Sequence, residues 1–369
     1  VRQSLLDMTT PMRRERLHLK AAAAMEALYG EDGAHAASLA RHMLGAGRRI
    51  KPGNTFRTLM RAADYATEAS SFDEAIAHYD NALALIDAGN SQDRAEVLAR
   101  RGYANRALGD WSQSERAWLD ALALMEADGD PERIAQLTWE VAFQLIWQNR
   151  LAEGTDLLER TLDQIDDAPS QGRARLLALL GHFLTNSGRL EDGDALQRES
   201  MAIAGALDDT RLLGGDIMFS RLYHFQHTFQ HRAYLAGIDE TIELQKAHGG
   251  GPKFSRPLGS AIVACVCAGA FDRVRAISEE VMPLALATGD AGTVAQISLF
   301  GGMVDTAEGH FAEARTRMNG AVKIYHETGM PWESAALAAA VGPVILMGDW
   351  ETARIDSERA VEIAVDCPT

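Results

Sequence analysis

Three histidines, His224, His227 and His231, have the spacing in this chain that most resembles a metal site. Separations of three and four residues put side chains on one helical face and allow chelation. The repeat register derived below places a turn at 227–229, which breaks that face, so structural or surface histidines are expected and no metal or other cofactor. Cys265 and Cys267 lie two apart, about 200° around a helix, and cannot chelate one ion together; they are expected to be small buried residues. With Cys367 they make an odd, sparse set of 3, which fits a reducing compartment. The chain contains no G-x-x-x-x-G-K-[ST], no H-E-x-x-H, no G-x-S-x-G and no G-x-G-x-x-G after a strand pattern. Helical repeats without inserted loops offer few places for polar groups to converge, so no catalytic residues and no enzymatic activity are expected.

The other chemistry on offer is recognition. Trp139, Phe143, Ile146 and Trp147 fall at i, i+4, i+7 and i+8 of one helix. Corresponding positions of neighbouring helices supply Tyr103 and Arg106, then His182, Thr185 and Asn186, then Arg221, His224 and Phe225. Aromatic rings rimmed by Arg, His and Asn have the composition of a binding groove for a protein, peptide or small-molecule effector. For the tryptophan pair a second reading is open, in which the rings pack between repeats. Further on, the same surface is lined by Val263, Val266, Met303, Thr306, Gly342 and Ile345, without that polar rim.

These residues are positioned by a repeat. A bulky apolar residue follows a helix-breaking turn eight times, at Phe72, Trp111, Leu151, Leu190, Phe229, Phe271, Phe311 and Trp350, with gaps of 39, 40, 39, 39, 42, 40 and 39 residues. Such a period marks a stacked helical solenoid. Two positions before each anchor stand Ser70, Gly109, Asn149, Gly188, His227, Gly269, Gly309 and Gly348, where a left-handed C-cap would end the first helix of a pair. Nine before, three after and ten after, the residues are mostly Gly, Ala or Ser, as close helix packing requires, and the anchor is expected to fill the wedge between repeats. The sixth unit is bulkier there, with Ile262, Val274 and Val281. Arg232 and Asp239 put charge at these positions in the fifth unit and leave its register open.

The predicted fold is therefore all-α: a helical connector over 1–56, then about eight helix pairs in two stretches, 57–248 and 253–369. The stretches are separated by Lys246-Ala247-His248-Gly249-Gly250-Gly251-Pro252, which no helix interior tolerates and which reads as a hinge or a long turn.

Composition agrees. Hydrophobic residues make up 47% of 369 and there are only 10 prolines, so a core can be buried by repetition. No apolar run approaches the ~18 residues of a membrane span and no charged-then-apolar leader opens the chain, so a cytoplasmic location without membrane contact is expected. Residues 1–61 carry eleven Lys/Arg against five Asp/Glu, a net of +6, and the remainder a net of −22, giving −16 overall. An acidic body repels phosphate, which argues against direct nucleic-acid binding.

The small/small/aromatic/Ala scheme resembles the tetratricopeptide repeat, and its length near 40 is similar to the longer, MalT-like variant in bacterial signal-transduction ATPases. Arg13-Arg14-Glu15-Arg16-Leu17-His18, Ala24-Met25-Glu26-Ala27-Leu28-Tyr29-Gly30 and Ala36-Ala37-Ser38-Leu39-Ala40-Arg41-His42 resemble the connector after the ATPase module of large ATP-binding LuxR-type regulators and of related cyclase-linked proteins. The resemblance implies a right-handed superhelical solenoid that serves as the sensor or scaffold of a STAND-type ATPase regulator. It implies an ATPase module upstream as partner and transcription or signalling as the output. A regulatory region of a nucleotide cyclase and a free-standing adaptor are the alternatives. Because the chain opens inside what resembles a connector, an excised region is expected.

Overall fold

The computed structural model describes residues 10–87, 89–125, 129–247, 255–287 and 289–366. The chain forms two compact units, 1–128 and 129–369. The first contains α1 (Pro11–Tyr29), α2 (Gly33–Ala46), a short 3-10 turn (Gly47–Arg49), α3 (Pro52–Glu68), α4 (Phe72–Leu83), α5 (Ser91–Ala107) and α6 (Trp111–Met125). The second contains α7 (Pro131–Trp147), α8 (Leu151–Gln164), α9 (Gln171–Asn186), α10 (Leu190–Ala206) and α11 (Met218–His227), the last preceded by a helical turn (Thr210–Leu212) and a π-helical turn (Leu213–Ile217). It continues with α12 (His231–Ala247), α13 (Ser255–Cys267), α14 (Phe271–Ala287), α15 (Ala291–Ala307), α16 (Phe311–Thr328), α17 (Glu333–Leu346) and α18 (Trp350–Asp366). Among the described residues there is no strand, and no helix is long and apolar enough to cross a membrane. The fold is an all-α solenoid of helix pairs.

First and second helices begin differently. Four first helices start from side-chain caps: Asn90 accepts from the Asp93 amide at 3.1 Å, Asp130 from Glu132 at 3.1 Å, Ser170 from Arg173 at 3.1 Å and Asp290 from Thr293 at 3.1 Å. Second helices start from a single left-handed residue. Ser70, Gly109, Asn149, Gly188, Gly269, Gly309 and Gly348 all have positive φ, from 55 at Asn149 to 87 at Gly309. The next amide then bonds back across the turn, as from Asp110 to Asn105 O at 2.9 Å and from His310 to Asp305 O at 2.8 Å, satisfying a carbonyl the helix end leaves open. Seven anchors, Phe72, Trp111, Leu151, Leu190, Phe271, Phe311 and Trp350, are consequently the first residues of second helices.

The fifth pair corrects the expected register by two residues. The left-handed residue is Phe229 (φ 57), not His227, and Gln230 N bonds back to Phe225 O at 2.9 Å, so α12 opens at His231. Three and ten residues further on stand Tyr234 and Thr241, both buried, whereas Arg232 and Asp239 are exposed. The charges that seemed out of place thus lie on the solvent side, where Asp239 pairs with Arg273. With His231 as anchor, the distance to Phe271 is the ordinary 40 residues and that from Leu190 is 41. The longer interval contains the π-helical turn Leu213–Ile217, where a wider turn accommodates extra residues without breaking the helix. Residues 248–254, including the expected break at Gly249–Pro252 and the boundary at 248/253, lie outside the described residues, as does Cys367.

The small positions are where helices touch. A Cβ on Gly181 would stand 2.7 Å from Gly193 O, and one on Gly193 would stand 2.7 Å from Gly181 O, so any side chain there forces α9 and α10 apart. Ala63, Ala75 and Ala82 do the same service in the first unit, fully buried with Leu59 and Tyr79. The anchors divide: Trp111 is buried and Phe72 and Phe271 are half-buried against the core, as a wedge requires, but Phe229 is 79% and Trp350 68% exposed, and Leu190 is also on the surface. What seven of them share is position, as the first residue of a second helix. Cys265 is buried, which raises its thiol pKa, but Cys267 is exposed, against expectation.

Candidate ligand-binding cavity

The three aromatic residues of α7 share a face, yet packing gives them different roles. Trp139 and Phe143 are 2% and 1% exposed, with rings stacked at 4.9 Å and 9°. They are interior packing residues. Trp147, one turn further, meets the edge of Phe143 at 6.4 Å, and its ring lies 3.1 Å from where a Cβ on Gly292 would stand. A glycine in the first turn of α15 is what lets the indole lie there.

Trp147 and Ile146 form one wall of a cavity of about 410 Å³ inside the second unit. The first helices of successive pairs pack side by side, and each contributes to the lining: His182 from α9; Tyr223, Gln226 and His227 from α11; Val263 from α13. Gln296, Leu299, Phe300 and Met303 come from α15, Ala335 and Ala339 from α17. Tyr325 of α16 and Trp332, just before α17, complete it. The indole Nε1 of Trp332 donates to Trp147 O at 3.0 Å and ties the last pair to the first pair of the unit.

The polar edge of the cavity is a column of rings. His182 stacks on Tyr223 at 3.8 Å, and Tyr223 on His227 at 3.9 Å. The Tyr223 hydroxyl donates to Asn186 Oδ1, and His227 Nδ1 lies 3.0 Å from Tyr223 O. Burial, and secondarily the neighbouring His227, holds the His182 pKa down at about 3, so this imidazole is neutral across the physiological range. Burial also pushes the Tyr223 hydroxyl well above its ordinary value. The column presents flat rings, with nitrogen atoms able to donate or accept hydrogen bonds.

The remaining expected groove residues lie elsewhere. Arg221 pairs with Asp194; His224 places Nδ1 3.2 Å from Thr185 Oγ1 and Nε2 3.6 Å from an Asp194 carboxylate oxygen; the Arg221 guanidinium lies 4.4 Å from the centre of the Phe225 ring. These contacts tie α9, α10 and α11 together. Desolvation first, then the charge of Arg221, lowers the His224 pKa. Tyr103 and Arg106 belong to the first unit. There the buried Arg106 guanidinium sits 4.9 Å from the Trp111 ring and 5.9 Å from the Trp118 ring, and Tyr103 meets Trp118 edge-on at 5.2 Å. Both serve the packing of α5 on α6.

Of the ten expected site residues, Trp147 and His182 line the cavity, and Asn186 supports it through Tyr223. Tyr223 and His227 were visible only as part of a histidine-rich run. Gln296, Phe300 and Met303 have helical spacing on one face of α15, a pattern that could have drawn notice, whereas Trp332 sits in a turn with no periodic signal. Among the described residues no group of three His, Cys, Asp or Glu side chains could hold a metal ion.

No sequence-family profile and no curated protein matches the chain. Solved structures do. A Rap protein complexed with competence and sporulation factor is 9% identical, with a TM-score of 0.65, over 96% of this chain and 98% of that one. The tetratricopeptide-repeat STAND protein PH0952 from Pyrococcus horikoshii is 12% identical, with a TM-score of 0.53, over 88% of this chain and 48% of that longer one. Aspartyl phosphate phosphatase F from Bacillus subtilis is 11% identical, with a TM-score of 0.51, over 96% of both chains. At these identities the likeness is one of fold, and the fold is that of tetratricopeptide-like helical repeats.

Proposed function

We propose that this chain is a sensor or scaffold region that does no chemistry itself and binds an effector, a small molecule or a short partner segment, in the cavity of its second unit. The observation that carries the reading is the construction of that cavity: its lining comes from every helix pair between α7 and α18. An occupant therefore touches all of these pairs at once, and any difference in its affinity for two arrangements of the pairs shifts their populations. The likeness of fold to the sensor of a STAND protein, with the repeat length and connector-like segment, supports a place in a larger bacterial signalling or transcription-regulatory ATPase. In that setting the upstream ATPase module would be the partner that reads the change. A cyclase-linked region and a free-standing adaptor are separated from this by the coding sequence that flanks the chain.

The test is amide hydrogen exchange on the whole chain, with and without metabolite and peptide pools. Slower exchange concentrated in 139–147, 218–227, 296–303 and 332–339 is expected. Protection confined to the second helices, or micromolar binding of ATP by calorimetry, would sink the reading.

A further inference from the structure

We infer that the cavity of the second unit selects an uncharged, ring-containing small molecule, in preference to a charged ligand or an extended peptide. The inference rests on the reading of that cavity as the binding site and names its ligand class.

The lining contains no Asp, Glu, Lys or Arg. A charged ligand would lose its hydration there and find no carboxylate, ammonium or guanidinium group in return, a cost that ordinarily keeps unpaired ions out of apolar sites. Charged groups close in sequence to the lining are paired: Glu333 with His326 and Arg359, Arg221 with Asp194, and Asp305 with Arg317. His182 supplies no positive charge, since burial keeps it neutral.

A peptide is disfavoured for a different reason. Every residue of an extended segment brings an N–H and a C=O that need partners once buried. The lining offers four polar side chains apart from tyrosine and tryptophan, namely His182, Gln226, His227 and Gln296, too few for more than a residue or two. They suit a ligand with one or two hydrogen-bonding groups.

Rings are favoured by the walls. Tyr223 lies between His182 and His227, with centroids 3.8 and 3.9 Å apart, and Trp147, Phe300, Tyr325 and Trp332 add rings to a lining that also holds aliphatic Leu299, Met303 and Ala339. A planar ligand meets such walls with large contact area and little loss of internal freedom. The volume, about 410 Å³, lies in the lower half of the range of roughly 300–1,000 Å³ that small-molecule sites span.

The test uses two dyes of nearly the same shape, neutral 1-N-phenylnaphthylamine and its anionic relative 8-anilinonaphthalene-1-sulfonate, followed by fluorescence on the full chain. The neutral dye should bind one per chain, at least tenfold tighter than the sulfonate. Ala339→Phe, which fills the cavity, should weaken it at least tenfold, and Trp350→Ser, on an exposed face, should leave it unchanged. If Ala339→Phe lowers the melting temperature, Ala335→Leu replaces it. An end-blocked hexapeptide mixture is measured alongside. If the sulfonate or the peptides bind as well as the neutral dye and lose binding on cavity filling, the ligand class is wrong and the site reading stands. If no probe responds to either substitution, both are wrong.

Discussion

Trp332 and Trp147 are 185 residues apart, yet the indole N–H of the first donates to the backbone oxygen of the second at 3.0 Å. The carbonyl belongs to the last residue of α7, where no later amide of the helix can reach it, so the bond satisfies an open helix end while closing one side of the cavity.

Trp332→Phe keeps a ring in place and removes only the donor. We expect a loss of about 1 kcal/mol in stability, in the range of a single partly exposed hydrogen bond. Exchange at 144–148 and 331–336 should become faster while the first unit is unaffected, as read by hydrogen exchange with mass spectrometry. Unchanged exchange at both segments would show that the bond does not hold them.

Trp139 and Trp147 separate packing from the cavity. Truncating the buried Trp139 to Ala should cost roughly 3–5 kcal/mol, as for other large interior aromatic residues. Trp147→Ala, at a partly exposed wall, should cost less and mainly change dye binding. Denaturant melts of both variants, with binding corrected for the folded fraction, decide the point; equal destabilisation with unchanged binding would remove Trp147 from the site.

His182 makes stability depend on pH. Its folded pKa of about 3 lies below the ordinary imidazole value of 6.5, so between these limits the unfolded chain holds the extra proton. The contribution is full above pH 6.5 and is lost as pH falls toward 3, amounting to about 3–5 kcal/mol at most. His182→Phe should flatten the decline of melting temperature over that window. A parallel decline in both proteins would place the dependence on other groups.

Phe229 holds a left-handed conformation (φ 57) that glycine adopts at the equivalent position of five other pairs, and its ring is 79% exposed. Phe229→Gly should relieve backbone strain of about 1–2 kcal/mol while adding entropy to the unfolded chain, for a net gain of roughly 0.5–1 kcal/mol. A thermal melt reads the sign; destabilisation would mean that the ring contributes more than its exposure suggests.

The repeat was legible because its causes are local. At Gly109, Gly188, Gly269, Gly309 and Gly348 a glycine in the left-handed conformation ends a helix, and small residues such as Gly181 and Gly193 let two helices touch. Both leave a mark at a fixed spacing in the sequence. Where a non-glycine takes the left-handed turn, as Phe229 does, the mark is lost, and the register of α11 and α12 emerged only from the backbone. Helical periodicity also placed Trp139, Phe143 and Trp147 on one face. Which of them would be sealed inside and which would border a cavity depends on the rotation from one helix pair to the next, summed over the pairs from α7 to α18, and no single helix encodes that sum. The same rotation brings Trp332 to Trp147 and gathers Tyr223, Phe300 and Ala339 around one space, while Arg106, which the sequence placed beside them, is bound within the first unit between Trp111 and Trp118.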